Sequence, residues 1–234
     1  MSGTLYGLGI GPGDPELITL KAFNVLQRVP VIAYPAPDTG ESLARSIVES
    51  HLPGGQTEIC IRTTMVAESA PANETYDRYA EEIANHLDAG RDVAVLCEGD
   101  PFFFGSFMYL FGRLAGRFPV QVVPGVTSLT ACAAEAALPL TSRNDILTVL
   151  PGPLPEDELE RRLRDTDAAA IMKVGRHRDK IIRVLQKLGL TEQARYVERA
   201  STKHARVHML SEIEAGKAPY FSMILVHKRG EAWK

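Results

Sequence analysis

The chain has 234 residues, of which 45% are hydrophobic and 24% are charged. Its 26 Lys and Arg residues against 29 Asp and Glu residues give a net charge of -3 at pH 7, which provides no general attraction to nucleic acid or to an anionic membrane. No apolar stretch reaches the roughly 18 residues that a membrane span needs, and the N-terminus lacks a signal-peptide pattern. We therefore expect a cytoplasmic protein with neither nucleic acid nor membrane as a partner.

The first half of the chain alternates apolar runs with helical patterns. In chain order the sequence predicts a strand at 4–10, a helix at 15–28, a strand at 29–34, a helix at 41–50, a strand at 57–61, a helix at 75–89, a strand at 92–98 and a helix at 107–116. Residues 67–73 contain mostly small residues with one proline and are predicted to be a loop. The alternation is typical of a parallel sheet with crossover helices.

The helical pattern ends at Gly116 and Pro119, and we place a domain boundary there. Residues 1–118 are predicted to form an N-terminal α/β lobe and residues 119–234 a second α/β lobe. In the second lobe the patterns predict a strand at 120–123, a helix at 127–137, a strand at 146–150, a helix at 156–164, a strand at 168–174, a helix at 178–188, and strands at 194–199, 206–210 and 222–228. Because the last three strands follow one another with little helix between, this lobe should contain a mixed sheet.

Three glycine-rich segments each follow or overlap the end of a predicted strand. They are residues 9–14 (GIGPGD), 99–105 (GDPFFFG) and 123–128 (VPGVTS). Open α/β sheets bind ligands in the loops at the carboxyl ends of their strands. One such turn with a capping Asp is common in any α/β protein. Three together predict a single ligand that is held at several points.

The residues around these turns favour a cationic ligand over a phosphate. No lysine follows any of the turns as a P-loop requires, and the third glycine position of a dinucleotide-binding motif is occupied by Asp14. The carboxylates of Asp14 and Asp100 would repel a phosphate. S-adenosylmethionine carries an ammonium group, a sulfonium and ribose hydroxyls but no phosphate, and glycine lets the backbone approach such a ligand closely.

The cysteines and histidines do not predict a metal site. Cys60, Cys97 and Cys132 lie far apart within apolar runs and are expected to be reduced core residues. Among the six histidines only His204 and His208 have a suitable spacing, but they fall in a predicted strand and turn, where a spacing of four gives no shared helical face.

At these glycine segments the chain resembles the tetrapyrrole (corrin/porphyrin) methylase family over essentially its whole length. The resemblance is carried by residues 11–22 (GPGDPELITLKA), by Gly99-Asp100-Pro101 with Gly105, and by residues 123–128. It implies a two-lobed fold and a homodimeric enzyme that uses S-adenosylmethionine, releases S-adenosylhomocysteine and methylates a tetrapyrrole carbon. The cofactor would lie between the lobes and the tetrapyrrole in a trough of the N-terminal lobe.

Three further segments are similar to the members that methylate precorrin-2 at C20, giving precorrin-3A in cobalamin biosynthesis. They are residues 34–37 (YPAP), 171–175 (IMKVG) and 219–226 (PYFSMILV). Other acceptors within the family stay open: cobalt-factor II, uroporphyrinogen III, a modified histidine of a translation factor, and ribosomal RNA, which the mildly acidic composition disfavours. A ligand-binding or scaffold protein without enzymatic activity is the alternative outside the family.

The resemblance also implies which residues form the site. The cofactor-binding residues carried over by motif are Pro12, Glu98, Gly99, Asp100, Phe103, Thr127, Ser128, Lys173, Val174, Ala200, Ser201 and Thr202. Many relatives have Gly at the position of Ala200. Side chains that could meet the substrate, whose carboxylates arginine binds well, are Tyr34, Arg62, Arg143 and Arg176. No catalytic residue is assigned; Asp14 is a candidate base and equally a helix cap.

Overall fold

A computed structural model of the chain describes residues 1–63, 69–213 and 218–229. The chain divides into two compact units, Met1–Thr127 and Ser128–Lys234. The division lies after the boundary predicted at 118/119. The strand at 120–123 pairs with the first strand of the chain, and this pairing makes it part of the first unit.

The first unit is a parallel sheet with helices. Its elements are β1 Leu5–Gly9, α1 Leu20–Leu26, β2 Val31–Pro37, α2 Leu43–Val48, β3 Thr57–Thr63, α3 Ser69–Asp88, β4 Val93–Cys97, α4 Phe107–Leu114 and β5 Val120–Val123. The strand order is β3-β2-β4-β1-β5, with every pair parallel. All five carboxyl ends therefore lie at one edge, and the segments after β1, β4 and β5 begin side by side.

Both faces of this sheet are buried. β1 and β4 are buried along their whole length, as the continuous apolar runs of a doubly covered parallel sheet require. On one face Leu5 belongs to an apolar cluster with Ile83 of α3 and Leu110 of α4. On the other face Leu8 clusters with Val25 of α1. The packing holds the strand ends, and the loops that follow them, in fixed positions.

The second unit contains a mixed sheet, which confirms the predicted fold class. Its elements are α5 Ser128–Glu135, β6 Leu147–Pro151, α6 Glu156–Arg164, β7 Ala168–Met172, α7 Arg178–Lys187, β8 Ala194–Glu198, β9 Arg206–Met209 and β10 Ser222–His227. The strand order is β6-β7-β10-β8-β9. β6 and β7 are parallel, whereas β10 is antiparallel to both β7 and β8 and β9 is antiparallel to β8.

Two local predictions in the first unit were wrong. The helix predicted at 15–28 is a 3₁₀ turn at Pro15–Leu17 followed by α1, which starts anew at Leu20 because Thr19 caps it by accepting the Ala22 N–H at 3.2 Å. The loop predicted at 67–73 is helical from Ser69 onward. The proline in this segment does not prevent the helix, because it falls in the first turn, where backbone N–H groups have no partner within the helix. Residues 67 and 68 lie outside the described part of the chain.

Among the described residues, no helix is both long and apolar enough to cross a membrane.

Candidate functional site

The first two glycine segments are joined by backbone pairing beyond the ends of their strands. The Ile10 N–H donates to the Cys97 carbonyl at 3.1 Å, and the Gly99 N–H donates to the Gly11 carbonyl at 2.8 Å. Gly11 and Gly99 have φ angles of +85° and +69°, a region that favours glycine. The segments after β1 and β4 therefore both turn away from the sheet immediately after this pairing.

The third glycine segment packs directly on the other two. A Cβ atom added at Gly125 would lie 2.1 Å from the Gly99 carbonyl oxygen and 2.7 Å from the Gly9 Cα. A Cβ atom added at Gly9 would lie 2.4 Å from the Gly125 nitrogen. The glycines at these turns were expected to let the backbone approach a ligand closely. In the structure, Gly9 and Gly125 are required by the approach of one loop to another.

Asp100 links the second and third segments. Its Oδ1 accepts the N–H groups of Phe102 at 2.9 Å and Phe103 at 3.1 Å, and its Oδ2 accepts the Gly125 N–H at 3.0 Å. A carboxylate offers about four acceptor positions, so one remains for a donor group of a ligand. The half-buried negative charge at the meeting point of the loops fits a cation or a hydroxyl group better than a phosphate.

The other predicted cofactor residues of the first unit have different surroundings. Pro12 is half-buried directly after Gly11, and Thr127 is half-buried after β5. Phe103 is half-buried, and its ring packs edge-on against Phe104 with centroids 5.3 Å apart. Glu98 directs its carboxyl group to the first turn of α2. Burial raises the pKa of this carboxyl group, whereas a hydrogen bond from the Ala44 backbone lowers it.

Asp14, the candidate base, acts as a cap. Its Oδ1 accepts the Glu16 N–H at 2.8 Å at the start of the 3₁₀ turn, and its carbonyl accepts the Leu17 N–H at 3.0 Å. Of the two roles left open by the sequence, this geometry matches the cap.

Apart from Ser128, the predicted cofactor residues of the second unit lie at one edge of its sheet. Because β7 and β8 are both antiparallel to β10, they run in the same direction and end at the same edge. Lys173 follows β7 and Ser201 follows β8. Lys173, Arg199 and Ser201 have φ angles of 55°, 47° and 62°, which are uncommon for residues other than glycine and concentrate at functional sites.

Hydrogen bonds fix the backbone after β8. The Arg199 N–H donates to the Phe221 carbonyl at 2.8 Å, and the Thr202 hydroxyl donates to the Arg199 carbonyl at 2.8 Å. Val174 and Ala200 are buried within apolar clusters, so these two residues have only backbone groups to offer a ligand. Ser128, the first residue of α5, is half-buried.

Glu135 is a residue that sequence reasoning missed. It lies at the end of α5, and its Oε1 accepts the Ser201 N–H at 2.9 Å. The two residues are 66 positions apart. Neither a motif nor a periodic pattern connects them, so no signal in the sequence could have identified the pair.

We expect Glu135→Ala to weaken S-adenosylhomocysteine binding about threefold to tenfold, because an exposed hydrogen bond of roughly 1 kcal/mol no longer holds the Ser201 backbone. Glu135→Gln, whose amide oxygen still accepts, should bind within twofold of the unchanged chain. Titration calorimetry measures both affinities. Equal affinities for the Ala and Gln variants would contradict a role for this contact.

Tyr34 and Arg62, the predicted substrate residues of the first unit, both have partners within the protein. The Tyr34 hydroxyl donates to Glu58 Oε2 at 2.7 Å. Burial of the hydroxyl, and to a lesser extent its hydrogen bond to the Glu58 carboxylate, raises the pKa of Tyr34 to about 12. The Arg62 guanidinium donates to the carbonyls of Pro37 at 2.8 Å and Asp38 at 3.3 Å. These contacts tie β2 to β3.

The other two predicted substrate residues belong to the second unit. Arg143 is exposed in the loop before β6 with a φ angle of 52°, and Arg176 is exposed in the 3₁₀ turn Gly175–His177. Arg176 Nε lies 3.4 Å from His177 Nε2. The four candidates therefore do not form one cluster within either unit.

Tyr34→Phe tests whether the tyrosine hydroxyl serves the substrate or the fold. Because this hydroxyl donates to Glu58, we expect the KM for the tetrapyrrole to stay within twofold and the free energy of unfolding to fall by about 1 kcal/mol. Steady-state kinetics and urea unfolding measure the two effects. A tenfold rise in KM with unchanged stability would instead assign Tyr34 to the substrate.

All three cysteines are free thiols. Cys97 and Cys132 are buried, and burial raises the pKa of Cys132 to about 12; Cys60 is half-buried in β3. Within the described ranges, His, Cys, Asp and Glu side chains form no group of three or more that could hold a metal ion.

Comparisons with known proteins agree with this architecture. The family model of the tetrapyrrole (corrin/porphyrin) methylases matches residues 4–214. The precorrin-2 C(20)-methyltransferase of Sinorhizobium sp is 47% identical, covering 96% of this chain and 95% of that protein. The cobalt-precorrin-2 C(20)-methyltransferase of Salmonella typhimurium is 34% identical and covers 99% of both. The uroporphyrin-III C-methyltransferase of Thermus thermophilus, solved with S-adenosylhomocysteine, is 28% identical over 96% of this chain and 97% of that one, with a TM-score of 0.70.

Proposed function

Because the chain belongs to the tetrapyrrole (corrin/porphyrin) methylase family, we propose that it transfers a methyl group from S-adenosylmethionine to C20 of precorrin-2. The product would be precorrin-3A, an intermediate of cobalamin biosynthesis. The observation that carries the proposal is the 47% identity with a precorrin-2 C(20)-methyltransferase across nearly the whole of both chains.

We assign the loops of the first unit to the amino acid and ribose parts of the cofactor and the loops of the second unit to its adenine. For the first unit, the support is the carboxylate of Asp100, which retains an acceptor position where the loops meet. For the second unit, the support is the resemblance to the family. The residues assigned are those predicted from sequence: Pro12, Glu98, Gly99, Asp100, Phe103, Thr127, Ser128, Lys173, Val174, Ala200, Ser201 and Thr202. When bound, S-adenosylmethionine supplies an electrophilic methyl group on a sulfonium centre.

The reaction asks the chain mainly for positioning. C20 is an electron-rich carbon, and alignment of the reacting atoms can contribute roughly 7–11 kcal/mol of rate acceleration. The loops after β1, β4 and β5 suit this task, because they pack directly on one another and the Asp100 carboxylate joins two of them. We assign no catalytic base, and Asp14 serves as a cap.

The test is to incubate the purified chain with precorrin-2 and methyl-labelled S-adenosylmethionine. We expect one label per tetrapyrrole, located at C20. The product should be heavier by one CH₂ unit, because the methyl group replaces the C20 proton, which is released to solvent. No incorporation while precorrin-2 remains intact would contradict the proposal. Uroporphyrinogen III serves in a parallel incubation, and label appearing there instead would transfer the proposal to that acceptor.

A cobalt-containing acceptor is the second candidate. The 34% identity with a cobalt-precorrin-2 C(20)-methyltransferase over 99% of both chains favours it specifically. Equal amounts of the metal-free and cobalt-containing substrates should be offered together, with labelled S-adenosylmethionine limiting. Since the identity with the metal-free enzyme is higher, we expect most of the label in the metal-free product.

We further propose that the enzyme acts as a homodimer in the cytoplasm. Both statements are supported by the family resemblance. Light scattering of the purified chain at micromolar concentration should give a mass close to twice 25.6 kDa. A monomer mass under the conditions of full activity would contradict the dimer.

A further inference from the structure

A buried arginine at the start of α7 makes a contact across the second sheet. Arg178 is only 7% exposed, although arginine is almost never fully buried unless it is paired. Its Cζ atom lies 5.8 Å from the centroid of the Tyr196 ring, and its guanidinium donates to the Tyr196 hydroxyl. The strand that leads into α7 is β7, whereas Tyr196 belongs to β8, and β10 lies between these two strands. The arginine therefore ties α7 to a strand that is not a neighbour of β7.

Tyr196 extends this contact to the end of β8. The tyrosine is completely buried, and its hydroxyl donates to Glu198 Oε1 at 2.8 Å. Burial, and to a lesser extent this hydrogen bond, raises the pKa of Tyr196, so the hydroxyl keeps its proton and remains a donor. We call Arg178, Tyr196 and Glu198 the polar chain. Because a buried polar group without a partner is costly, these side chains favour one arrangement of the elements that carry them.

The two ends of the polar chain adjoin the two loops that follow β7 and β8. Arg178 follows the 3₁₀ turn Gly175–His177, and its N–H donates to the Gly175 carbonyl. Glu198 is the last residue of β8, and Arg199, with its positive φ angle, comes directly after it. Since β10 separates the two strands, their backbones form no ladder with one another. The polar chain therefore joins these two loops through side chains.

We propose that the polar chain positions the loops after β7 and β8 relative to each other, so that their backbone groups meet the adenine ring together. This inference rests on the proposed function, which assigns the adenine to these loops. Val174 and Ala200 have only backbone groups to offer a ligand. Such groups cannot follow a ligand by rotating a side chain, so recognition depends on where each backbone is held. Arg178, Tyr196 and Glu198 are thus positioning residues.

Tyr196→Phe tests this role, because it keeps the buried ring and deletes only the hydroxyl. We expect the Kd for S-adenosylhomocysteine to rise about fivefold to tenfold. The Kd for 5′-methylthioadenosine, which has the adenine and ribose but no amino acid part, should rise by the same factor. At saturating S-adenosylmethionine, kcat and the KM for precorrin-2 should not change. Titration calorimetry and steady-state kinetics measure these quantities.

Two substitutions of the partner separate the hydrogen bond from the charge. Glu198→Gln keeps an oxygen that accepts from the Tyr196 hydroxyl, and both affinities should stay within about twofold of those of the unsubstituted chain. Glu198→Ala removes the acceptor and should match Tyr196→Phe. Because both changes break the same contact, the double variant should bind no more weakly than either single variant by more than about twofold.

Thr166→Val is the control for a general loss of stability. Thr166 is 5% exposed, and its hydroxyl lies 2.8 Å from the carbonyl oxygens of Ile146 and Ala168. It precedes β7, so it lies at the edge of the sheet opposite the two loops. This variant should lose stability to urea as Tyr196→Phe does, with both affinities unchanged. An equal loss of affinity in the two variants would assign the effect to stability and overturn the proposal.

The readouts also separate this inference from the function on which it rests. If the unsubstituted chain does not bind S-adenosylhomocysteine, the proposed function fails and the inference fails with it. If that chain binds the ligand and methylates precorrin-2 while Tyr196→Phe and Glu198→Ala keep both affinities, the function stands and the inference is wrong. Weaker binding of S-adenosylhomocysteine with unchanged binding of 5′-methylthioadenosine would also overturn the inference, because the polar chain would then act on the amino acid part.

Discussion

Gly125→Ala should abolish measurable methyl transfer. The new Cβ would lie 2.1 Å from the Gly99 carbonyl oxygen and 2.7 Å from the Gly9 Cα, and backbone atoms cannot turn aside as a side chain can. The third loop must therefore separate from the other two and break the Gly125 contact with Asp100. We expect the free energy of unfolding to fall by about 3 kcal/mol. The affinity for S-adenosylhomocysteine should fall on the order of a hundredfold. Urea unfolding and calorimetry measure the two losses.

Gly116→Ala is the matched control for this substitution. Gly116 follows α4 in the same unit, and a Cβ atom added there would meet nothing within 4 Å. Its stability and affinity should stay within experimental error or improve slightly, because alanine restricts the unfolded chain. Wild-type affinity in Gly125→Ala would show that the loops can separate without cost to the site.

The sequence predicted most of the fold because its signals are local. Every strand of both sheets coincides with a predicted strand to within a few residues. In the first unit this follows because buried parallel strands leave continuous apolar segments in the sequence. The error at 15–28 came from a second capping residue, Thr19, inside an otherwise helical pattern. The chain divides after Thr127 and not at 118/119, because β5 pairs with β1 and belongs to the first unit. This pairing joins residues more than 100 positions apart, which no local pattern reports.

The candidate site was predicted less completely, for the same reason. The motifs identified the loops, but the chemistry of each loop depends on contacts between distant segments. Asp100 was expected to meet a ligand, and its carboxylate also accepts the N–H of Gly125, 25 residues away. The hydroxyl of Tyr34 is likewise engaged by Glu58 on the neighbouring strand. In both cases the residue type suggested a role in ligand binding. The partner within the protein became visible only in the structure, because it lies on a different segment of the chain.

Asp100 therefore permits a sharper experiment than simple removal. Asp100→Ala deletes the acceptors of three backbone N–H groups, and we expect about 3 kcal/mol lower stability. We also expect a hundredfold weaker cofactor binding, on the order of the effect in Gly125→Ala. Asp100→Asn keeps one oxygen, which can still accept from Phe102 and Phe103, but directs an NH₂ group at the Gly125 N–H.

The asparagine variant thus uncouples the second loop from the third while leaving the second intact. We expect its stability to lie between those of the unsubstituted chain and Asp100→Ala. Its S-adenosylhomocysteine affinity should fall about tenfold. If the carboxylate served the ligand alone, Asp100→Asn would lose affinity without losing stability, and adding Gly125→Ala would lower affinity additively. If the carboxylate joins the loops, the two substitutions break the same contact, and the combined loss must be smaller than the sum.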